Sequence, residues 1–284
     1  MSTRPLRQYL SDYPTVEVAV DPEDVVAPWR RHRQRFVERL GDLTAAQWSA
    51  ATRCDAWDVA DVVGHLISTD LFWMASLGAA QAGSPSTFLV DFDPSTSPEA
   101  YVAPMRGTDP EVIRSQFEDG TTAFLAAVDG LEVPVWESRG ESPMGHMPVP
   151  LVLAHALWDS WLHERDIFEP LGLGVPVETD ELMVATWYTL VAGALQGGLI
   201  GDEEPVGPGL SEPVEASLGF DDLPEPIGIA VGTGVRLALG GSAAPSVGSA
   251  VNFVERATGR RSGGVPDTFP PDLAAHLERA FEIL

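Results

Sequence analysis

Apolar residues recur at helical spacing through "DPEDVVAPWRRHRQRFVERLGDL" (residues 21–43), with Asp21 and Pro22 suited to cap and open a helix. The next stretch, "TRCDAWDVADVVGHLISTDLFWMASLGAAQAG" (52–83), starts as a loop, turns helical near Trp57 and is expected to end between Gly78 and Gly83. A Pro- and Ser-rich loop leads to "TDPEVIRSQFEDGTTAFLAAVDGL" (108–131), where Thr108 or Asp109 before Pro110 signals a third helix. After a second loop, a fourth helix is predicted from about 149 to 170, stopped by Pro170 and Gly172, and a fifth over 178–201.

The period then changes. Residues 201–213, "GDEEPVGPGLSEP", have the composition of a linker, and "VEASLGF", "IGIAVG" and "GVRLALGG" are short, partly alternating and bounded by Gly, Pro and Asp, as strands are. Further helices are expected at roughly 246–258 and 269–284. The pattern predicts a mainly α protein, with an up-and-down helical bundle at 1–203 followed by a small α+β domain at 204–284.

Composition narrows the chemistry. All 17 basic residues are arginine and the net charge is −25, so a lysine Schiff base and a Walker-type phosphate loop are excluded. So negative a field also disfavours nucleic acid and anionic membranes as partners. Arginine without lysine suggests a high-GC bacterial source, such as an actinobacterium. Cys54 is alone, which excludes an internal disulfide. The N-terminus has no apolar signal core and no uninterrupted apolar run nears the roughly 20 residues of a membrane span, so a cytoplasmic protein is expected.

The densest chemistry lies in "AHALWDSWLHERDIF" (154–168). Residues four apart share a helix face, so Asp159 and His163 can close on one ion, with His155 a turn away on the same stripe. His65 in "DVVGHLIS" offers a third ligand from another apolar helix, and Asp61, one turn earlier, could hold its second ring nitrogen. Two imidazoles and a carboxylate leave coordination positions open, as catalytic sites do. Spacing alone equally allows a hydrogen-bonded core histidine at 65 and an exposed Asp–His pair on the later helix. Cys54 reads as a small hydrophobe or a reactive thiol, and Trp158 and Trp161 as core or as pocket walls. Arg256, Arg260 and Arg261 read as a helix end or as a carboxylate-binding group. His146 and Asp166 have no position from the pattern.

Three segments together, 43–66 ("LTAAQWSAATRCDAWDVADVVGHL"), 155–172 ("HALWDSWLHERDIFEPLG") and 248–261 ("GSAVNFVERATGRR"), resemble the mycothiol-dependent maleylpyruvate isomerase-like family. The resemblance implies a DinB-like bundle, a sterol-carrier-like C-terminal domain, and a divalent metal, zinc in the isomerase, held at His65, Asp159 and His163. The isomerase has glutamate where this chain has the shorter Asp159. It also implies mycothiol as thiol cofactor or co-substrate, its sulfur adding as thiolate to an electrophilic small molecule in an isomerase or S-transferase reaction. His155 is then the candidate proton-transferring catalytic residue. A non-haem metal oxygenase, a hydrolase and a non-catalytic binding protein remain open alternatives.

Overall fold

The computed structural model of the chain describes residues 16–94, 96–199, 214–232, 234–240 and 243–278. In chain order the elements are β1 (Val16–Ala19), α1 (Glu23–Gly41), α2 (Ala45–Trp48), α3 (Val59–Gln81), α4 (Ser97–Val102), α5 (Pro110–Asp129), α6 (Val133–Trp136), β2 (Arg139–Ser142) and β3 (Gly145–Pro148). They continue with α7 (Val149–Phe168), α8 (Thr179–Leu199), β4 (Val214–Leu218), β5 (Ile227–Val231), β6 (Val235–Leu239), α9 (Ala250–Ala257) and α10 (Pro271–Glu278). The protein is mainly α with a small α+β part, as the pattern predicts.

The chain packs as two compact units, one spanning Val25–Pro176, the other combining the described residues up to Asp24 with those from Val177 onward. The sequence reading puts the break at 203–204; packing puts α8 and β1 with the C-terminal unit. The reason is burial. Leu182, Trp187, Leu190 and Val191 of α8 are all buried, and α8 packs on α9, α10, β5 and β6. Strand β1 runs parallel to β6 in a sheet ordered β1-β6-β5-β4, whose other pairs are antiparallel. The linker expected at 201–213 and the last turns expected after Glu278 lie outside the described residues.

In the first unit, α1, α3, α5 and α7 form the bundle. Asp58 caps α3 by accepting from Asp61 N at 2.9 Å, and Asp109 caps α5 ahead of Pro110, which occupies the first turn. Phe36, Leu40, Val62, Val63, Leu66, Phe117 and Phe168 make the core, with Phe36 meeting Phe117 and Phe168 edge-on at 5.5 and 6.0 Å. A buried polar spine crosses it. Arg33 donates to Asp70 of α3, to Thr121 of α5 and to Ser160 of α7, the last two at 3.3 and 3.1 Å. Glu164 of α7 accepts from Arg35 and Arg39 of α1 at 3.0 and 2.8 Å. Helix α3 is long and apolar enough to cross a membrane by length and composition alone, although Asp61, His65 and Asp70 interrupt its apolar run. Its buried Asp70 and its packing on α5 and α7 mark it as a bundle core helix.

The pattern gives no sign of the short elements α2, α4, α6, β1 and the β2–β3 hairpin, each of at most six residues. The hairpin is built into the bundle. Ser76 Oγ donates to Glu141 O and accepts from Glu141 N, both at 2.8 Å, while the Glu141 carboxylate accepts from the backbone of Phe88 and Leu89. A Cβ on Gly140 would stand 3.0 Å from Ser76 Oγ and 3.2 Å from Val152 Cγ2. Because Ser76 is fixed by two bonds, Gly140→Ala is expected to cost about 1–3 kcal/mol. Thermal unfolding should show the loss, and an unchanged Tm would mean that the hairpin moves freely.

Candidate metal centre

Helix α3 carries His65 and helix α7 carries Asp159 and His163, and the packing of α3 on α7 brings the three together within the first unit. His65 Nε2 lies 3.6 Å from Asp159 Oδ2, and His163 Nε2 lies 3.4 Å from Asp159 Oδ1. The two imidazoles meet edge-on with centroids 5.0 Å apart. These separations exceed the usual hydrogen-bond range. Ligands about 2.0–2.1 Å from a tetrahedral zinc stand about 3.3 Å from one another, so the spacing suits donors around a shared ion. Asp159 Oδ2 is buried and has no hydrogen-bond partner among the described residues, which fits a ligand atom better than a structural carboxylate.

Charge follows the same lines. Burial by itself pushes the Asp159 carboxyl up, but the His65 and His163 imidazoles outweigh it and hold the group well below the usual carboxylate range. Burial likewise pushes His163 down, and Asp159, then Asp166 and Cys54, more than reverse this, raising it well above the ordinary imidazole value. The set is therefore an anion clamped between two imidazoles.

The surroundings correct two expectations. Asp61 does not support His65; both its oxygens accept from Arg106 Nε at 3.2 Å, and Arg106 also binds Glu99. His65 Nδ1 is buried with no hydrogen-bond partner among the described residues. Trp57 stacks beside His65 at 5.3 Å and donates its indole N–H to Glu99. The 103–105 turn closes over Gly64, where a Cβ would meet Met105 Sδ at 3.4 Å.

His155 is buried between Trp73 and Trp158, with ring centroids at 4.9 and 5.6 Å. Trp158 thus belongs to this neighbourhood, while Trp161 is wholly buried under the Arg165 guanidinium. Burial, against the weaker pull of Asp159, pushes His155 down to about 4. An imidazole depressed below its unfolded value contributes stability above pH 6.5, and that contribution fades as pH falls to 4. Replacing it by glutamine should therefore shift the stability difference from the parent by up to about 3 kcal/mol in the variant's favour between pH 7 and pH 4. Urea titrations at each pH measure this, and a constant difference would mean that the fold does not depress His155 at all.

Of the residues left without a position, His146 lies 2.7 Å through Nε2 from Ser86 O and tethers the loop after α3. Arg261 pairs with Glu255 within the second unit, and Arg260 donates to Thr258 O. Asp166 stands 3.0 Å from His163 Nδ1, and it binds Arg53 and Cys54 as well. The signal was present in the sequence: His163 and Asp166 are three apart on one helix, a spacing that brings side chains together.

Residues 29–168, which carry His65, Asp159, His163, His155 and Asp166, match the family model described as "Mycothiol maleylpyruvate isomerase N-terminal domain". This segment belongs to that family. Two solved structures, the mycothiol-dependent maleylpyruvate isomerase and a histidine-to-alanine mutant of it, align with TM-scores of 0.59 at 16% and 15% identity. Each alignment covers 87% of this chain and 92% of the other, so the isomerase fold extends over both units. No curated protein matches the chain.

Proposed function

We propose that the protein is a metal-dependent enzyme that uses mycothiol as cofactor or co-substrate, joining its sulfur to an electrophilic small molecule as an isomerase or S-transferase. The observation that carries this reading is the His65–Asp159–His163 set, at the spacing of ligands around one ion, inside a domain of the mycothiol maleylpyruvate isomerase N-terminal family. Family membership supports the thiol, and the donor set supports the cation, for which two imidazoles and one carboxylate suit zinc with a coordination position left open. The bound ion would supply stabilisation of a thiol in its deprotonated, nucleophilic form.

The chain's own side chains do the rest. His65, Asp159 and His163 hold the cation, and Trp57 presents an aromatic wall next to His65. His155, pushed down to about 4 by burial and so neutral at pH 7, is the proposed proton-transferring group, entering the reaction as an acceptor. The proposed setting is the cytoplasm, where thiols such as Cys54 stay reduced, and the −25 charge argues against nucleic-acid or membrane partners.

The test is a calorimetric titration of mycothiol into zinc-loaded and metal-free protein, with mass spectrometry of mixtures containing maleylpyruvate or other conjugated electrophiles. Zinc-dependent thiol binding is expected; recovery of free thiol after turnover marks an isomerase and a thioether product marks a transferase. Mycothiol that binds neither form sinks the proposal. The same donor set suits non-haem iron, so oxygen-dependent turnover by the iron-loaded protein would move an oxygenase ahead.

A further inference from the structure

His163 turns its two ring nitrogens to different partners. Nε2 faces Asp159, and Nδ1 faces Asp166 Oδ2 at 3.0 Å. The Asp166 carboxylate is fully buried and its acceptor sites are taken up: Oδ1 accepts from Arg53 Nε at 3.0 Å, and Oδ2 also accepts from Cys54 Sγ at 3.3 Å. Arg53 is itself fixed, donating through Nη1 to Glu169 at 2.7 Å and through its backbone N to Asp166 O at 3.1 Å. A carboxylate whose oxygens already accept from a guanidinium and a thiol presents an acceptor to the ring, so the histidine nitrogen opposite it is the one that donates.

We propose that Asp166 is a positioning residue for His163, and that the Arg53–Asp166 pair fixes the tautomer and ring orientation that make His163 Nε2 a metal ligand. With the proton on Nδ1, the Nε2 lone pair points to Asp159 and His65. With the proton on Nε2, the ring would aim an N–H at the cation and could not bind it. Outer carboxylates of this kind typically change metal affinity by 10–100-fold. The chain offers a second hold on the same geometry. Arg53 and Cys54 belong to the strap that also carries Trp57, and that strap is pinned at both ends. Thr52 Oγ1 donates to Trp57 O at 2.9 Å, Cys54 N donates to Thr52 Oγ1 at 3.1 Å, and Ala51 bridges to Asp58. One short segment therefore touches the ring of His65 through Trp57 and orients the ring of His163 through Asp166. This inference rests on the proposed metal reading and adds residues outside the His65–Asp159–His163 set.

The test measures zinc affinity of the full chain by competition with a chromophoric chelator. It uses the parent, Asp166→Ala, Asp166→Asn and Arg53→Met, with His65→Ala as the ligand-loss control. Long-range proton–nitrogen NMR of the metal-free parent and variants, at a pH high enough for the ring to be neutral, reads which His163 nitrogen keeps the proton. Asp166→Ala should weaken zinc binding 10–100-fold and move the His163 proton toward Nε2. Asp166→Asn, which keeps a carbonyl acceptor, should fall between Asp166→Ala and the parent. Arg53→Met should lose about three- to tenfold in affinity, less than the alanine variant because the carboxylate itself remains. If Asp166→Ala does not fold, Arg53→Met decides. Affinity within twofold of the parent in the folded variants, or a neutral His163 protonated at Nε2 rather than Nδ1 in the metal-free parent, overturns the inference while leaving the metal centre standing. A parent that takes up no divalent cation overturns the proposed function and this inference together.

Discussion

Asp70→Ala is expected to lower the free energy of unfolding by about 3–5 kcal/mol, enough to threaten the fold of a protein of ordinary stability. Asp70 and Arg33 are 2% and 1% exposed, and they pair across α1 and α3. Burial pushes the Asp70 carboxyl up to about 6 and the attraction of Arg33 offsets only part of this. Burial also pushes Arg33 down, with Asp70 as the nearest source of compensation. Without the carboxylate, Arg33 retains the hydroxyls of Thr121 and Ser160 and the face of Phe117 at 4.4 Å, none of which carries a countercharge. The penalty is that of a buried cation left with only the smaller attraction of Asp159, so the paired exchange Arg33→Leu with Asp70→Leu should recover most of the loss. Urea unfolding of the three variants decides: a double variant as unstable as Asp70→Ala would mean the residues act independently.

Asp159→Ala should abolish the stabilisation that zinc confers. A ligand present at about 100 times its dissociation constant, binding only the folded state, raises the unfolding free energy by about 2.7 kcal/mol. Asp159 supplies the oxygens that face both His65 and His163, so its removal takes away the proposed carboxylate ligand and the charge that lies between the two imidazoles. The parent should show a zinc-dependent rise in Tm, the alanine variant none, and Asp159→Glu should keep it, since glutamate at this position is what the family resemblance implies for the isomerase. A full zinc response from Asp159→Ala would remove this residue from the centre. Without zinc, Asp159→Ala also tests how far its clamped charge matters to the fold itself.

The long bundle helices and the three C-terminal strands were legible because each is long enough to repeat its period, or short and bounded by glycine and proline. The trio His65, Asp159 and His163 was legible for a related reason: i,i+4 spacing places two of them on one face, and a histidine amid valines in another helix demands a polar partner. What escaped notice depends on contacts across the fold. Strand β1 is four residues with no periodic signature until β6 lies beside it. The capping box joining Thr44 to Gln47 is readable locally, yet a single turn such as α2 has too few apolar positions to register. Asp61 was misassigned because spacing along a helix says nothing of Arg106, a residue 45 positions away that takes its carboxylate. Asp166 lacked a role until Arg53, in a segment with no secondary structure of its own, was seen to meet it.

The spine through Arg33 bears on how the bundle finds its alignment. Apolar packing alone tolerates a helix sliding by a turn, since one leucine replaces another at modest cost. A guanidinium that must meet Asp70, Thr121 and Ser160 at once has far fewer acceptable positions. Arg33 therefore works as a key that admits a single register of four helices, and Asp159, one residue before Ser160, inherits its height along α7 from that lock. Apolar side chains elsewhere in the bundle can change while the turns that carry His65, Asp159 and His163 stay level with one another.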